Sequence, residues 1–154
     1  MSKQKVKGTK AETAHVRWLS SKGVDGVDRI ALHGNEDKGD VGPIPARGLV
    51  GVAEVKNYKG KPTQGQLRKW QAETDAERDN GSWDFAYLVV HEPGCNIEDH
   101  NSPTYELNRA YVKLGDLMAL AFGQGFEPTS ERAALVYGTW VQLNLGKLAE
   151  IMFG

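Results

Sequence analysis

This chain has little of several things. It holds one cysteine in 154 residues, Cys95, so it can form neither an intrachain disulfide nor a cysteine-based zinc site. Such cysteine usage fits a reducing cytoplasm. No apolar run approaches the ~20 residues of a membrane-spanning helix. The opening Met-Ser-Lys-Gln-Lys-Val-Lys-Gly is basic with no hydrophobic segment behind it, unlike a signal peptide. Internal repeats and low-complexity tracts are absent. The four histidines, His15, His33, His91 and His100, are too scattered for a zinc site. No Gly-x-x-x-x-Gly-Lys or strand-flanked Gly-x-Gly-x-x-Gly occurs, so no nucleotide site is suggested. Cys95 lies in a polar Pro/Gly loop without an adjacent base, a poor setting for a nucleophile.

What is present fits one soluble domain spanning 1–154. Apolar residues make up 40% and charged residues 25%, ordinary values for a globular protein with a single core. The net charge of −1 hides an asymmetry. Residues 1–72 carry 14 Lys and Arg against 7 Asp and Glu, whereas the rest carry 5 against 13. A polyanion-binding face on the N-terminal half would explain this, as would chance scatter over a solvated surface.

The elements read in order as follows. Lys3 to Lys10 is a basic, mobile arm. Thr9 to Ser21 is a short helix, with Thr9 as N-cap and Glu12 at the capping-box spacing. Val16 and Leu19 face the core from it and Trp18 lies at its edge. A strand at Val27–Leu32 precedes the polar loop His33 to Asp40. A short strand near Asp40-Val41 and a long strand from Leu49 to Asn57 are joined by a Gly/Pro turn, "GPIPARG". A helix begins at Pro62-Thr63 and runs to about Arg78. Strands follow at Phe85–His91 and Arg109–Leu114, then helices at Gly115–Phe122 and Ser130–Phe153. The last helix has an apolar stripe of Ala133, Leu135, Val136, Trp140, Val141, Leu145, Leu148 and Ile151, suited to a core or a dimer interface. A mixed α/β sheet flanked by helices is the economical architecture, with a core at about 5–114 and a helical extension at about 115–153.

The segment "LVGVAEVKN" poses a chemical question, because a strand rich in Leu49, Val50, Val52, Ala53 and Val55 also carries Glu54 and Lys56. Residues two apart on a strand share a face, so Glu54 and Lys56 project together while Val55 points into the core. A hairpin-like return would set Asp40 beside Glu54. Two carboxylates with the Val55 main-chain carbonyl make an all-oxygen site of the kind Mg2+ accepts, with Mn2+ as a substitute. Glu54 and Lys56 would equally suit an exposed ion pair of little worth.

This Asp…Glu-x-Lys arrangement resembles the PD-(D/E)XK nuclease superfamily. The Lys7-Gly-Thr-Lys-Ala-Glu12 segment is similar to the start of helix one in its archaeal-type Holliday junction resolvases, whose helix glutamate completes the metal site. Glu12 holds that position here, and its other role would be as a capping acid. Many members carry a supporting glutamine on the helix after the Glu-x-Lys strand. Gln66 matches it, with Gln64 a rival and an exposed helix glutamine the alternative reading. The order of elements also matches, over about residues 5–92. Gly39 stands where the family's proline precedes the aspartate. Thr13 stands where resolvases have an arginine, which Arg17 would replace. The resolvases' mobile-loop serine is missing, with His33, Asn35 and Lys38 in that loop instead.

The resemblance implies a restriction-endonuclease-like fold and a Mg2+-dependent endonuclease most like a Holliday junction resolvase, of the compact kind found in archaea and phages. It would act in DNA recombination and repair as a homodimer on branched DNA. Asp40 and Glu54 would bind the metal with Val55 and Glu12 assisting. Lys56 would orient water or offset charge, and Gln66 would hold the site together. Lys5, Lys7, Lys10, Arg17, Lys59 and Lys61 would contact phosphates without reading sequence. A restriction-like nuclease or repair nickase is the nearest rival, and a catalytically silent DNA-binding module the rival of another class.

Overall fold

The computed structural model describes residues 3–32, 36–123 and 128–154, with side chains described from Gly8 onward within those ranges. His33 and Asn35 lie outside the described residues, as do the side chains of Lys5 and Lys7. The architecture is α/β, a six-stranded mixed sheet in the order β1-β2-β3-β4-β5-β6 flanked by helices. Among the described residues, no helix is long and apolar enough to cross a membrane.

Helix α1 runs Lys3–Ser21. The basic segment expected as a mobile arm is therefore its first turns, built from lysine and glutamine, which favour helix. Thr9 lies inside the helix and is not its N-cap, so the capping-box role expected for Glu12 does not exist. Ala11, Ala14, Trp18 and Leu19 bury one face of α1 against the sheet. Trp18 is only 2% exposed, a core residue rather than an edge one.

The strand expected at Val27–Leu32 shrinks to β1, Asp28–Arg29, paired antiparallel to β2, Val41–Ala46. The run "GPIPA", expected as a turn, is mostly strand. Pairing with β1 ends at Gly42, so Pro43 and Pro45 fall on an open edge where a missing N–H costs nothing. The turn proper is Arg47-Gly48, both in the left-handed region (φ 52° and 81°) that a two-residue hairpin demands. The return strand β3, Leu49–Lys56, pairs antiparallel with β2 and parallel with β4, Phe85–Val90. Between them α2, Gln64–Asn80, makes the crossover, and Thr63 caps it by accepting from the Gln66 N–H at 3.1 Å.

Strand β5, Arg109–Lys113, continues the sheet and leads directly into α3, Leu114–Phe122. The long C-terminal helix expected next is instead a short helix α4, Glu131–Tyr137, an edge strand β6, Trp140–Asn144, and a helix α5, Leu145–Phe153. Gly138 ends α4, the β-formers Thr139, Trp140 and Val141 follow, and Asn144 caps α5 by accepting from the Lys147 N–H at 2.8 Å. The apolar stripe dissolves accordingly: Leu135 is 76% exposed while Leu145 and Leu148 are buried.

The sheet has two unlike faces. Ala53, Val55, Phe85, Tyr87, Val89, Ala110 and Val112 meet α1, α3 and α5 in the main core. Leu88, Val90 and Tyr111 meet Trp70 of α2 in a smaller cluster on the other face. The strand period of two then decides the rest: with Val55 in the main core, Glu54 and Lys56 must face α2.

Candidate functional site

The site is built at the carboxyl end of β3. The loop entering β2 is anchored to the end of α2, because Asn80 Nδ2 donates to the Asp37 carbonyl and Trp83 Nε1 to the Lys38 carbonyl, each at 2.9 Å. Gly39 then turns with φ 105°, and a Cβ there would run into the Val52 side chain. Proline cannot adopt that φ. This explains why glycine stands where the resembled family has proline.

Asp40 follows, its N–H donating to the Ala53 carbonyl at 3.1 Å, and its Oδ2 accepts from the Val55 N–H at 2.9 Å. It therefore lies beside Glu54 on the neighbouring strand. Glu54 Oε1 pairs with Lys56 Nζ at 3.0 Å, and the same ammonium reaches Glu73 Oε2 on α2 at 3.3 Å. Glu54 is 4% exposed, and its Oε2 has no donor. Val55 C=O points, like its N–H, to the β2 side of β3, past the last β2 pair at Val41–Ala53.

The electrostatics are those of a place short of positive charge. Burial first, then the Glu54 and Glu12 carboxylates, push Asp40 up to about 8, against the opposing pull of the Val55 N–H and Lys56. Burial alone would lower the Lys56 ammonium. Its contacts with Glu54 and then Glu73 outweigh that and hold it charged well above the usual lysine range.

Glu77, which sequence reasoning missed, belongs here too. It is 3% exposed and is pushed up to about 11, by burial first and then by Glu54, Asp37 and Asp40. The available signal was helical spacing: Glu73 and Glu77 are one turn apart on α2, the helix that covers β3.

Glu12 approaches from the α1 side. Its Oε2 accepts from Arg29 Nε at 2.8 Å, so it stands at the border of the site, close enough to raise Asp40. Gln66 is half-buried and lines a cleft of about 630 Å³ together with Val55, Lys56, Lys59 and Trp70, whereas Gln64 is exposed. Lys10, Arg17, Lys59 and Lys61 are all exposed. Of the histidines, His15 is fully buried, its Nε2 and Nδ1 hydrogen-bonded to Tyr87 Oη at 2.7 Å and Tyr105 Oη at 3.1 Å. It serves the core.

Among the described residues, no group of three or more His, Cys, Asp or Glu side chains stands in position to hold a metal ion. The reason is visible in the contacts: Asp40 is turned to the Val55 N–H, Glu54 to Lys56 and Glu12 to Arg29. The donor chemistry nevertheless fits a hard divalent cation. The donors are all oxygen, Glu54 Oε2 is buried without an N–H or cationic donor, and burial, reinforced by the neighbouring acids, pushes Asp40 up to about 8. No protein-family model, curated protein or solved structure matches this chain.

Proposed function

We propose that the protein is a Mg2+-dependent endonuclease of the PD-(D/E)XK type that hydrolyses DNA phosphodiesters at branched structures, four-way junctions foremost. One observation carries the reading. Asp40 and Glu54 lie side by side at adjacent strand ends, next to Lys56, and Glu54 keeps a buried oxygen with no partner. A buried polar group left unpartnered is costly, and here the expense falls on a cleft rather than on packing.

In this reading Asp40 and Glu54 hold the cation, with the Val55 carbonyl and Glu12 assisting. When bound, the cation lowers the pKa of water and offsets charge on the scissile phosphate. Lys56 lines the 630 Å³ cleft, charged and fixed by two carboxylates, where it would meet a phosphate oxygen or hold the attacking water. Gln66, set in place by the Thr63 cap, faces the same cleft and would orient the reacting groups. Gly8 of α1 and Lys59 border that cleft, giving a phosphate strand a path between the two basic segments. In this reading the enzyme recognises shape rather than sequence, and two copies of the chain would supply the two cuts a junction needs.

The test is incubation with matched linear, nicked, flap and four-way DNA in Mg2+. Cleavage of the four-way substrate, lost in Asp40→Asn, supports the proposal. Cleavage of linear duplex alone would point to a restriction-like nuclease, and nicking alone to a repair enzyme. DNA binding without cleavage under any condition would leave a silent binding module of this fold.

A further inference from the structure

On the other side of Lys56 a separate cleft of about 430 Å³ opens between β3 and α2, lined by Asp37, Glu54, Glu73 and Glu77. The neighbourhood is lopsided, since Lys56 is the ammonium that answers Glu54 and Glu73. Its contacts take up Glu54 Oε1 and Glu73 Oε2. That leaves Glu54 Oε2 and Glu77 Oε2, both inaccessible to solvent and neither met by an N–H or cationic donor, so on this side the two carboxyls have only each other within hydrogen-bond reach. The residues that carry them are 4% and 3% exposed. Two buried carboxylates facing one cleft require a proton or a cation between them.

We propose that Glu77 and Glu54 form a second divalent-cation position on the α2 side of β3, for a hard ion such as Mg2+ or Mn2+. It rests on the nuclease reading only through Glu54, the carboxylate it shares with Asp40. All its donors are oxygen, and Mg2+ is commonly held by one or two carboxylates while keeping several waters, so a pair is enough. The cleft has room for those waters. Glu73 and Asp37, on its rim, would accept hydrogen bonds from them. The consequence is electrostatic. Without a cation, the α2 wall presents a phosphate strand with carboxylates on both sides of Lys56. With one, that wall is neutralised and Lys56 is left free to meet the phosphate.

Counting bound Mn2+ by electron paramagnetic resonance, with purified full-length protein and MnCl2 alone, tests this. Wild type should bind two ions per chain. Glu77→Gln should bind one, the other weakened at least about tenfold. Asp40→Asn should also bind one, and Glu54→Gln neither. Anomalous density in Mn2+-soaked wild-type crystals should include a peak between Glu54 and Glu77, a readout that needs no variant to fold. One ion per chain unaffected by Glu77→Gln, with no such peak, overturns the proposal and leaves the nuclease reading standing. An ion at Glu77 in a protein that never cuts DNA upholds it while the nuclease reading fails. No bound ion at all overturns both.

Discussion

Two buried polar clusters lie on opposite faces of the same sheet, and they have been treated in opposite ways. On the α1 face, the His15 ring is bonded on both nitrogens to Tyr87 and Tyr105 and stacked on Trp18. Burial lowers its pKa to about 3, so it is neutral, and only the neighbouring Trp18 Nε1 lacks an acceptor. On the α2 face, Glu54 and Glu77 each keep an unpartnered carboxylate oxygen, and Asp40 is pushed up to about 8. In the first cluster both imidazole nitrogens are satisfied by protein hydroxyls, and no carboxylate is left to be neutralised. The second is complete only with a proton or a cation, and that difference separates a structural polar core from a candidate site.

The largest effect should come from breaking the incomplete side. Asp40→Asn, Glu54→Gln and Lys56→Ala are each expected to lower junction cleavage on the order of 10³-fold or more, with DNA binding retained. Single-turnover cleavage beside a binding titration measures both. Loss of binding together with cleavage would mean that these residues build structure rather than chemistry.

Next comes the complete side. His15→Phe leaves two buried tyrosine hydroxyls without their partner and is expected to cost about 2–4 kcal/mol, a Tm fall of ~5–15 °C. Cleavage per folded molecule should not change. A large activity loss without a stability loss would erase the contrast between the clusters.

The two sides should also respond to pH in opposite senses. His15 has a folded pKa below its usual value, so between about pH 6.5 and 3 the unfolded chain holds more protons. Stability on its account therefore falls as the solution is acidified. Asp40 has a raised pKa, so between about pH 4 and 8 the native state holds more protons, and stability on its account falls as pH rises. Asp40→Asn should thus stabilise the metal-free protein at pH 8 by ~1–3 kcal/mol and change little at pH 4, by urea unfolding at both values. Added Mg2+ should stabilise wild type at pH 8 more than it does this variant. An equal gain at both pH values would show that Asp40 is not crowded by its neighbours.

The smallest effect belongs to the exposed rim. Lys59→Ala should weaken junction binding only about two- to fivefold and reduce the salt dependence by roughly one phosphate contact, leaving the cleavage rate at saturation unchanged.

Much of the site was legible because strand geometry is local. That Glu54 and Lys56 share a face opposite Val55 follows from alternation alone, and Pro62-Thr63 announced the start of α2. The α/β class with a mixed sheet was legible from the order of apolar runs. The C-terminal third misled. The apolar positions from Ala133 to Ile151 have helical periodicity, while Gly138 and the β-forming Thr139-Trp-Val141 argued for a break that the period concealed. The proline-rich segment before β3 misled similarly, since a strand tolerates proline only where its neighbour is missing. That is a fact about β1 rather than about the prolines.

The chain by itself determined which side chains leave each strand together, where α2 begins, and that an acid and an amine emerge beside a buried valine. All of these depend on bonds and torsions a few residues long. Only the tertiary structure decided that Glu77 is buried against Glu54, that Glu12 turns to Arg29, and that Gly39 must lack a side chain to clear Val52. Each of those depends on what a distant segment brings alongside. Burial, which sets the cost of a charge, is a property of that neighbour and not of the residue.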